Sequence, residues 1–435
     1  MNGRLHLGHA YSMSKNEFAS RFQKMQGKRV LFPFAFHCTG MPIAAAAKRL
    51  VLEKQPDEES KEEAKEKKIT QAEILISMGV PKEDIEKFEN PEFWLDYFTP
   101  RGIQDLKTYG ICADWRRSFY TTSKNPYYDS FIRWQFNILK AKDKVVFGKR
   151  PAIYSIRDGQ PCADHDRAEG EGVVPQEYTL IKMKMLEFPE EMKEFEGKNV
   201  FLVAATLRPE TMYGQTNCFV LPEGKYGIYR MPGDEYFVCS ERSMTNMAYQ
   251  EMTHEYAQSD KVGTVKGSSL IGVPLKAPLT KYEKVYTLPL LTISMTKGTG
   301  VVTSVPSDAP NDYAALMDFK EKADMREKYG VDEAWVKDYE PIPIIDIPPE
   351  ETKEGVADGE TISMIAVDLC KKMKIKSQKD IKKLDEAKEI AYKKGFFSGI
   401  FSIGEYKGMK VSEAKDKVKD NLIQSGDALK YFEPE

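Results

Sequence analysis

The stretch His6-Leu7-Gly8-His9 places two imidazoles around a glycine at the head of a long helical pattern. These residue types at this spacing suit a phosphate. Gly8 carries no side chain, so backbone can approach a triphosphate closely. A helix opening near His9 offers unpaired N–H groups and the positive end of its dipole to the same anion. The imidazoles can then donate hydrogen bonds as charge develops at the α-phosphorus. The tetrapeptide alone fits two surface histidines at a helix start equally well, so its meaning depends on its surroundings.

Two later segments join reactive side chains to strand ends, where functional groups gather. The first, Ala205-Thr-Leu-Arg-Pro-Glu-Thr-Met-Tyr-Gly-Gln-Thr-Asn217, leaves an apolar strand and presents Thr206, Arg208, Glu210, Thr211, Thr216 and Asn217. A turn cluster in which threonine and glutamate satisfy local backbone explains it about as well. In the second, a glycine-rich turn from Lys297 feeds a strand running to Val305. Ser307, Asp308, Pro310 and Asp312 then open a helix with the apolar face Tyr313, Leu316, Met317 and Phe319. Acidic residues in a first turn stabilise a helix dipole by roughly 0.3–1 kcal/mol each, which is the plain explanation. A functional role requires one carboxylate to face a cavity holding a ligand amine.

The remaining candidates carry less. Cys38, Cys112, Cys162, Cys218, Cys239 and Cys370 are scattered without a CxxC pair, so neither a disulfide framework nor a zinc cluster is expected, and a reducing compartment is favoured. Cys162 with His165 lacks a second ligand pair, and no metal site is assigned. His37-Cys38 follows an apolar strand at the end of a sheet where ligands bind in nucleotide folds. His254 sits among charged residues and reads as exposed. The aromatic pairs Tyr127-Tyr128 and Trp134-Phe136 have helical spacing and read as core.

The elements that must position these groups divide into two textures. With 435 residues, 41% hydrophobic and 11% aromatic, the chain is long enough for two or three cored domains. Its net charge of −3 gives no global basic footprint, so nucleic acid would have to bind at local patches. No apolar run reaches membrane-spanning length and no signal-peptide pattern precedes His6, which favours a cytoplasmic chain with no membrane partner.

Residues 9–28 read as a helix burying Ala10, Met13, Phe18, Phe22 and Met25. Arg29–Phe36 reads as a buried parallel strand, and Met41–Ala47 begins another helix. This order is part of a doubly wound nucleotide fold. Residues 51–70 alternate in charge as a solvated helical insert, and 71–148 stay helical and aromatic through Trp94, Trp115 and Trp134.

After about Gly172, short strand-like runs appear at 178–183, 199–206, 218–221, 236–239, 284–288 and 300–305. Helical stretches punctuate them at 311–329, 361–373, 378–395 and 411–424. The pattern predicts a β-barrel-like α/β domain. Ala428–Glu435 reads as a strand leaving that domain.

Together these segments resemble one family. MNGRLHLGHA, KNEFASRFQKMQGKRVLFPFAFHCTGMPI, GICADWRRSFYTT, NPYYDSFIRWQF and DGQPCADHDRAEGEGVVPQEYTL are similar to the start of the catalytic domain of leucyl-tRNA synthetases of the eukaryotic and archaeal cytosolic type. AATLRPETMYGQTNCFV and KGTGVVTSVPSDAPNDYAAL resemble the editing domain inserted into that enzyme. HLGH marks any class I synthetase; HCTGMPI, TLRPET and VPSDAPND in this order are more specific, and HCTGMPI and TLRPET favour leucine over isoleucine or valine.

The resemblance implies an incomplete Rossmann-like catalytic domain over 1–172, with a charged helical insert at about 51–100, and an inserted editing domain over 173–435. It implies a leucine–tRNA ligase that joins leucine to tRNA(Leu) with ATP and Mg²⁺, and leaves room for a multi-synthetase complex. His6, Gly8 and His9 match the ATP signature. Thr206, Arg208 and Thr211 match the threonine-rich editing segment, Asp312 the aspartate that holds the α-ammonium of a mischarged amino acid, and Thr303 and Val305 positions lining the same pocket. Thr211 is the expected steric block to leucine's γ-branch.

The strand and Pro-Tyr that precede MNGR in the family, a KMSKS-like loop and the helical anticodon-region domain are not in the sequence, so a fragment without synthetic activity of its own is expected. The competing readings are a free-standing aminoacyl-tRNA deacylase and a non-catalytic tRNA-binding remnant.

Overall fold

The computed structural model describes residues 3–38, 42–54, 69–155, 160–162, 174–351, 357–358 and 360–434. Most of the charged insert, Thr39-Gly40-Met41 and His165 lie outside them. The chain forms two compact units, Met1–Val174 and Pro175–Glu435.

In the first unit, α1 (Leu7–Met25), β1 (Pro33–Phe36), α2 (Pro42–Lys54), α3 (Gln71–Ser77), α4 (Pro91–Tyr109), β2 (Asp114–Tyr120) and α5 (Pro126–Ala141) follow in order. The nucleotide-type sheet is represented among the described residues by β1 and β2, which pair in parallel. The second of these was missed: Trp115 lies on a strand, not in a helix. The core gathers Leu50, Leu75, Val80, Phe88, Trp94, Tyr97 and Phe98 from α2 to α4. Trp94 Nε1 donates to the Phe88 carbonyl at 2.7 Å, so its polar edge is satisfied inside.

Two expectations of burial fail here. Along α1 the buried residue is Glu17, while Phe18 and Met25 are 72% and 85% exposed. On α5, Tyr127, Trp134 and Phe136 are likewise exposed. Helical spacing fixes which side chains share a face; it does not fix whether another element covers that face.

The second unit is built on one ten-stranded mixed sheet. Its strands are β3 (Pro175–Met185), β4 (Asn199–Thr206), β5 (Asn217–Val220), β6 (Lys225–Met231), β7 (Glu235–Cys239), β8 (Asp260–Lys266), β9 (Pro274–Lys276), β10 (Val285–Pro289), β11 (Val301–Ser304) and β12 (Ala428–Pro434). Their spatial order is β8-β6-β7-β4-β3-β9-β10-β5-β11, with β12 also on β3. No ladder joins the end strands β8 and β11 among the described residues, so the expected barrel is an open sheet.

The central strands are apolar on both sides because both faces are covered. Ile181, Met183 and Leu202 enter the larger core, while Leu180, Val203 and Phe237 pack on the opposite face with Met244 and Met247 of α6 (Glu241–Tyr249). The helices α7 (Pro310–Glu321), α8 (Ala323–Tyr329), α9 (Ile365–Lys372), α10 (Ile381–Phe397) and α11 (Val411–Gln424) complete the unit. β12 does not leave the domain: it pairs antiparallel with β3 from Ala428↔Ile181 to Pro434↔Pro175.

Candidate functional site

The segment after β4 turns at once into a 3₁₀ helix, Pro209–Gly214, with proline at its start. Thr206 Oγ1 accepts from the Arg208 N–H at 3.0 Å, and Thr211 Oγ1 donates to the Arg208 carbonyl at 2.8 Å. The expected turn chemistry is therefore present. The same turn also faces a cavity of about 470 Å³.

Thr206, Arg208, Thr211, Thr303, Val305 and Asp312 all line that cavity. Thr216 and Asn217 are buried elsewhere and bond to each other at 2.9 Å. The glycine turn before β11 forms another part of the lining and is held from three directions. Gly298 N–H donates to the buried Glu433 of β12 at 2.9 Å, Ser240 N–H to the Thr299 carbonyl at 2.8 Å, and Tyr226 Oη to the Gly300 carbonyl at 2.6 Å. Gly300 has φ +76°, and a Cβ there would meet Met295 Sδ at 2.9 Å.

Asp312 stands in the first turn of α7 but does not cap it; the cap is Ala309, with no side-chain bond. Its Oδ2 instead accepts from the Val305 N–H at 2.8 Å. Burial pushes the Asp312 carboxyl up to about 7, against the opposing pull of the Val305 N–H and of Lys388 and Arg208. The raised value marks Asp312 as a cavity carboxyl whose charge its neighbours compensate only in part.

Arg208 is a largely buried cation in the same lining. Its Nε lies 3.3 Å from Glu210 Oε1 and its Nη2 4.0 Å from Asp308 Oδ1. Burial works against the charge, yet Glu210 and Asp308 outweigh it and hold the proton more firmly than usual. Asp308, bonded by Ser307 Oγ at 2.6 Å, is pushed up to about 6, chiefly by burial.

In the first unit, His6 is the N-cap of α1. Its Nδ1 accepts from the Gly8 N–H at 3.1 Å, and the His6 N–H donates to His9 Nδ1 at 3.3 Å. Gly8 leaves room for this cap, since a Cβ there would meet His6 Cε1 at 2.9 Å. The Gly8 amide expected to face a phosphate is thus taken locally. The reciprocal cap has another consequence: both rings accept through Nδ1, which places each ring proton on Nε2. Both residues are largely exposed, and partial desolvation of the His9 ring and its His6 neighbour lower the His9 pKa.

The model of the family described as tRNA synthetases class I (I, L, M and V) matches residues 1–253. The chain belongs to the class I tRNA synthetases. It is 48% identical over its whole length to the cytoplasmic leucine–tRNA ligase of Pongo abelii, of which it spans 39%. It thus covers about two fifths of that relative. The crystal structure of GlLeuRS-CP1 matches with 37% identity and TM-score 0.52, over 59% of this chain and 99% of that one. The editing domain of the P. falciparum cytosolic leucyl-tRNA synthetase matches with 27% identity and TM-score 0.51, again over 59% and 99%.

In this synthetase chain, one part of the site was not legible in the sequence. Lys388 and Tyr392 of α10 also line the cavity. Their segment reads as an ordinary amphipathic helix, and only the packing of α10 beside α7 brings them to Arg208 and Asp312. His37 and Cys38 follow β1 as expected, with the Cys38 N–H donating to Thr121 Oγ1 at 3.2 Å. Among the described residues, no group of three or more His, Cys, Asp or Glu could hold a metal ion.

Proposed function

We propose that the second unit hydrolyses wrongly charged aminoacyl-tRNA as the editing domain of a leucine–tRNA ligase. The observation that carries this reading is convergence: Thr206–Thr211 and Thr303–Asp312, about a hundred residues apart in sequence, line one cavity. The domain limits 1–172 and 173–435 belong to the same proposal. β12 and β3 run side by side to Pro434↔Pro175, so the first and last strands of this unit lie together, as an insertion requires.

The chemistry follows from the lining. Asp312, held by the Val305 N–H, takes the α-ammonium of the amino acid. Thr211, fixed by its bond to the Arg208 carbonyl, stands against leucine's γ-branch and admits norvaline, isoleucine or methionine. Threonine hydroxyls and the terminal ribose direct water at the ester carbonyl. Such a second site is needed because a hydrophobic pocket separates side chains one methylene apart by only about 10–200-fold.

The first unit, on this reading, belongs to the site where leucine and ATP form the adenylate before transfer to tRNA(Leu). His6 and His9 fit a triphosphate through their Nε2–H donors, and Gly8 fits by making the cap that sets those donors. Mg²⁺ would come with the triphosphate, neutralising its charge, rather than bind a cage of protein ligands. A cytoplasmic location accords with the relatives' names.

The test is deacylation of isoleucyl-tRNA(Leu) and leucyl-tRNA(Leu) by the purified chain. Hydrolysis of the first and sparing of the second is expected. Equal stability of both over the uncatalysed rate refutes the reading.

A further inference from the structure

We propose that Tyr392 of α10 is a catalytic residue of the hydrolytic site, donating its phenolic proton in a hydrogen bond to the ester carbonyl oxygen as negative charge develops there. This rests on the hydrolytic reading of the cavity.

The position follows from Asp312. In an α-aminoacyl ester the ammonium nitrogen and the carbonyl carbon share one Cα, so the carbonyl oxygen lies about 3 Å from the nitrogen. Whatever serves the carbonyl must therefore stand close to the ammonium's partner. Tyr392 lines the same cavity as Asp312, and each feels the other's charge.

Two of the donors nearby are committed. The Val305 N–H is bonded to Asp312, and the Thr211 hydroxyl to the Arg208 carbonyl. Arg208 Nη2 is buried without a hydrogen-bond partner and is the competing donor. A phenol can both accept and donate, and the neighbouring Arg208, which can only donate, cannot take the Tyr392 proton.

Two cations also flank the ring. The Arg208 guanidinium carbon lies 4.7 Å from the Tyr392 ring centroid, and Lys388 Nζ lies 5.5 Å from it. Burial keeps the phenol protonated, pushed up to about 12, so it donates throughout the working range.

The reaction balances without a further reactant. Water oxygen bonds to the carbonyl carbon, and the carbonyl pair moves onto its oxygen, where Tyr392 donates. The pair returns, the bond to the ribose oxygen breaks, and the proton lost by water passes to that oxygen. Free amino acid and tRNA leave.

The experiment uses the full chain with isoleucyl-tRNA(Leu), and compares Tyr392→Phe with Asp312→Asn. Tyr392→Phe keeps the ring for both cations and removes only the hydroxyl. Loss of one oxyanion donor typically lowers turnover about 10²-fold, and kcat is expected to fall by that much with KM within about threefold and an unchanged melting temperature. Activity of Tyr392→Phe within about threefold of the parent, while Asp312→Asn falls roughly 10–100-fold, overturns the assignment and leaves the hydrolytic reading standing. A raised KM with a lowered melting temperature gives the hydroxyl a structural role and equally overturns it. Full activity of Asp312→Asn removes the ammonium anchor that places the carbonyl beside Tyr392, and this proposal with it; a parent chain that leaves isoleucyl-tRNA(Leu) uncleaved removes the hydrolytic reading itself.

Discussion

Asp312 Oδ2 lies 2.8 Å from the backbone nitrogen of Val305, seven residues earlier in the chain. The bond ties the first turn of α7 to the residue just after β11, and fixes one carboxylate oxygen while the side chain lines the cavity. An asparagine oxygen can accept the same bond. Asp312→Asn is therefore expected to change stability by no more than about 1 kcal/mol. A neutral amide grips an ammonium far less well than a carboxylate, and isoleucyl-tRNA hydrolysis should fall roughly 10–100-fold. Melting temperature and hydrolysis measured on one preparation separate the two effects; normal hydrolysis would return Asp312 to a purely structural role.

The same carboxyl sets a pH signature. Binding an ammonium requires Asp312 ionised, with its pKa near 7, and the substrate α-amine protonated, ordinarily below about 7.7–8.0. Deacylation kcat/KM, corrected for spontaneous ester hydrolysis, should trace a narrow bell between those values, and Asp312→Asn should lose the acid limb. For stability the sign is opposite to that of a salt-bridged aspartate. The folded pKa lies above the ordinary 3.8, so the native state holds the extra proton. Asp312's contribution is full below about pH 4 and declines as pH rises through about 7.

Thr211 combines a branch at Cβ with a hydroxyl bonded to the Arg208 carbonyl. Two substitutions separate these features. Thr211→Ala should begin to hydrolyse leucyl-tRNA(Leu), whereas Thr211→Val keeps the branch and should spare it, at a stability cost of about 0.5–1.5 kcal/mol for the lost bond. Leucyl-tRNA left intact by Thr211→Ala would shift the steric role to Thr206 or Val305.

Arg208 neutralises two buried carboxylates, Glu210 and Asp308. Truncation strands both, and breaking a buried pair from one side typically costs about 3–5 kcal/mol. Arg208→Ala should lower the denaturant midpoint of the second unit by a corresponding amount. Trp335 is that unit's single tryptophan, so substituting Trp94, Trp115 and Trp134 by phenylalanine would isolate its fluorescence. An unchanged midpoint would show that the carboxylates become neutral at no cost.

The His6–His9 cap predicts linked effects on order and binding. His6→Ala and Gly8→Ala should both speed amide exchange over the first turn of α1, consistent with an N-cap loss of about 0.5–2 kcal/mol. Equilibrium dialysis should show weaker ATP binding for His6→Ala and His9→Ala, with isoleucyl-tRNA hydrolysis unaffected. Loss of hydrolysis in these variants would point to a folding defect.

The sequence by itself determined the local chemistry. Strand 199–206 and helix 411–424 stand where their patterns put them, because alternation and helical periodicity are properties of neighbouring residues. Of the six cavity residues, 206, 208, 211 and 312 stand out at a strand end, turn or helix start, while 303 and 305 were named only by the resemblance.

Tertiary structure alone decided what those segments meet. It exposed Phe18 and Trp134 despite their helical spacing, opened the expected barrel into a sheet, and turned β12 back onto β3. It also brought Tyr392 of α10 to Arg208, nearly two hundred residues away in sequence. A face's pattern records that it is apolar, and a strand's pattern that it can pair. Neither names the partner, because the gain from burial and pairing is almost the same for any surface of similar shape, and only the packing of the whole chain selects one.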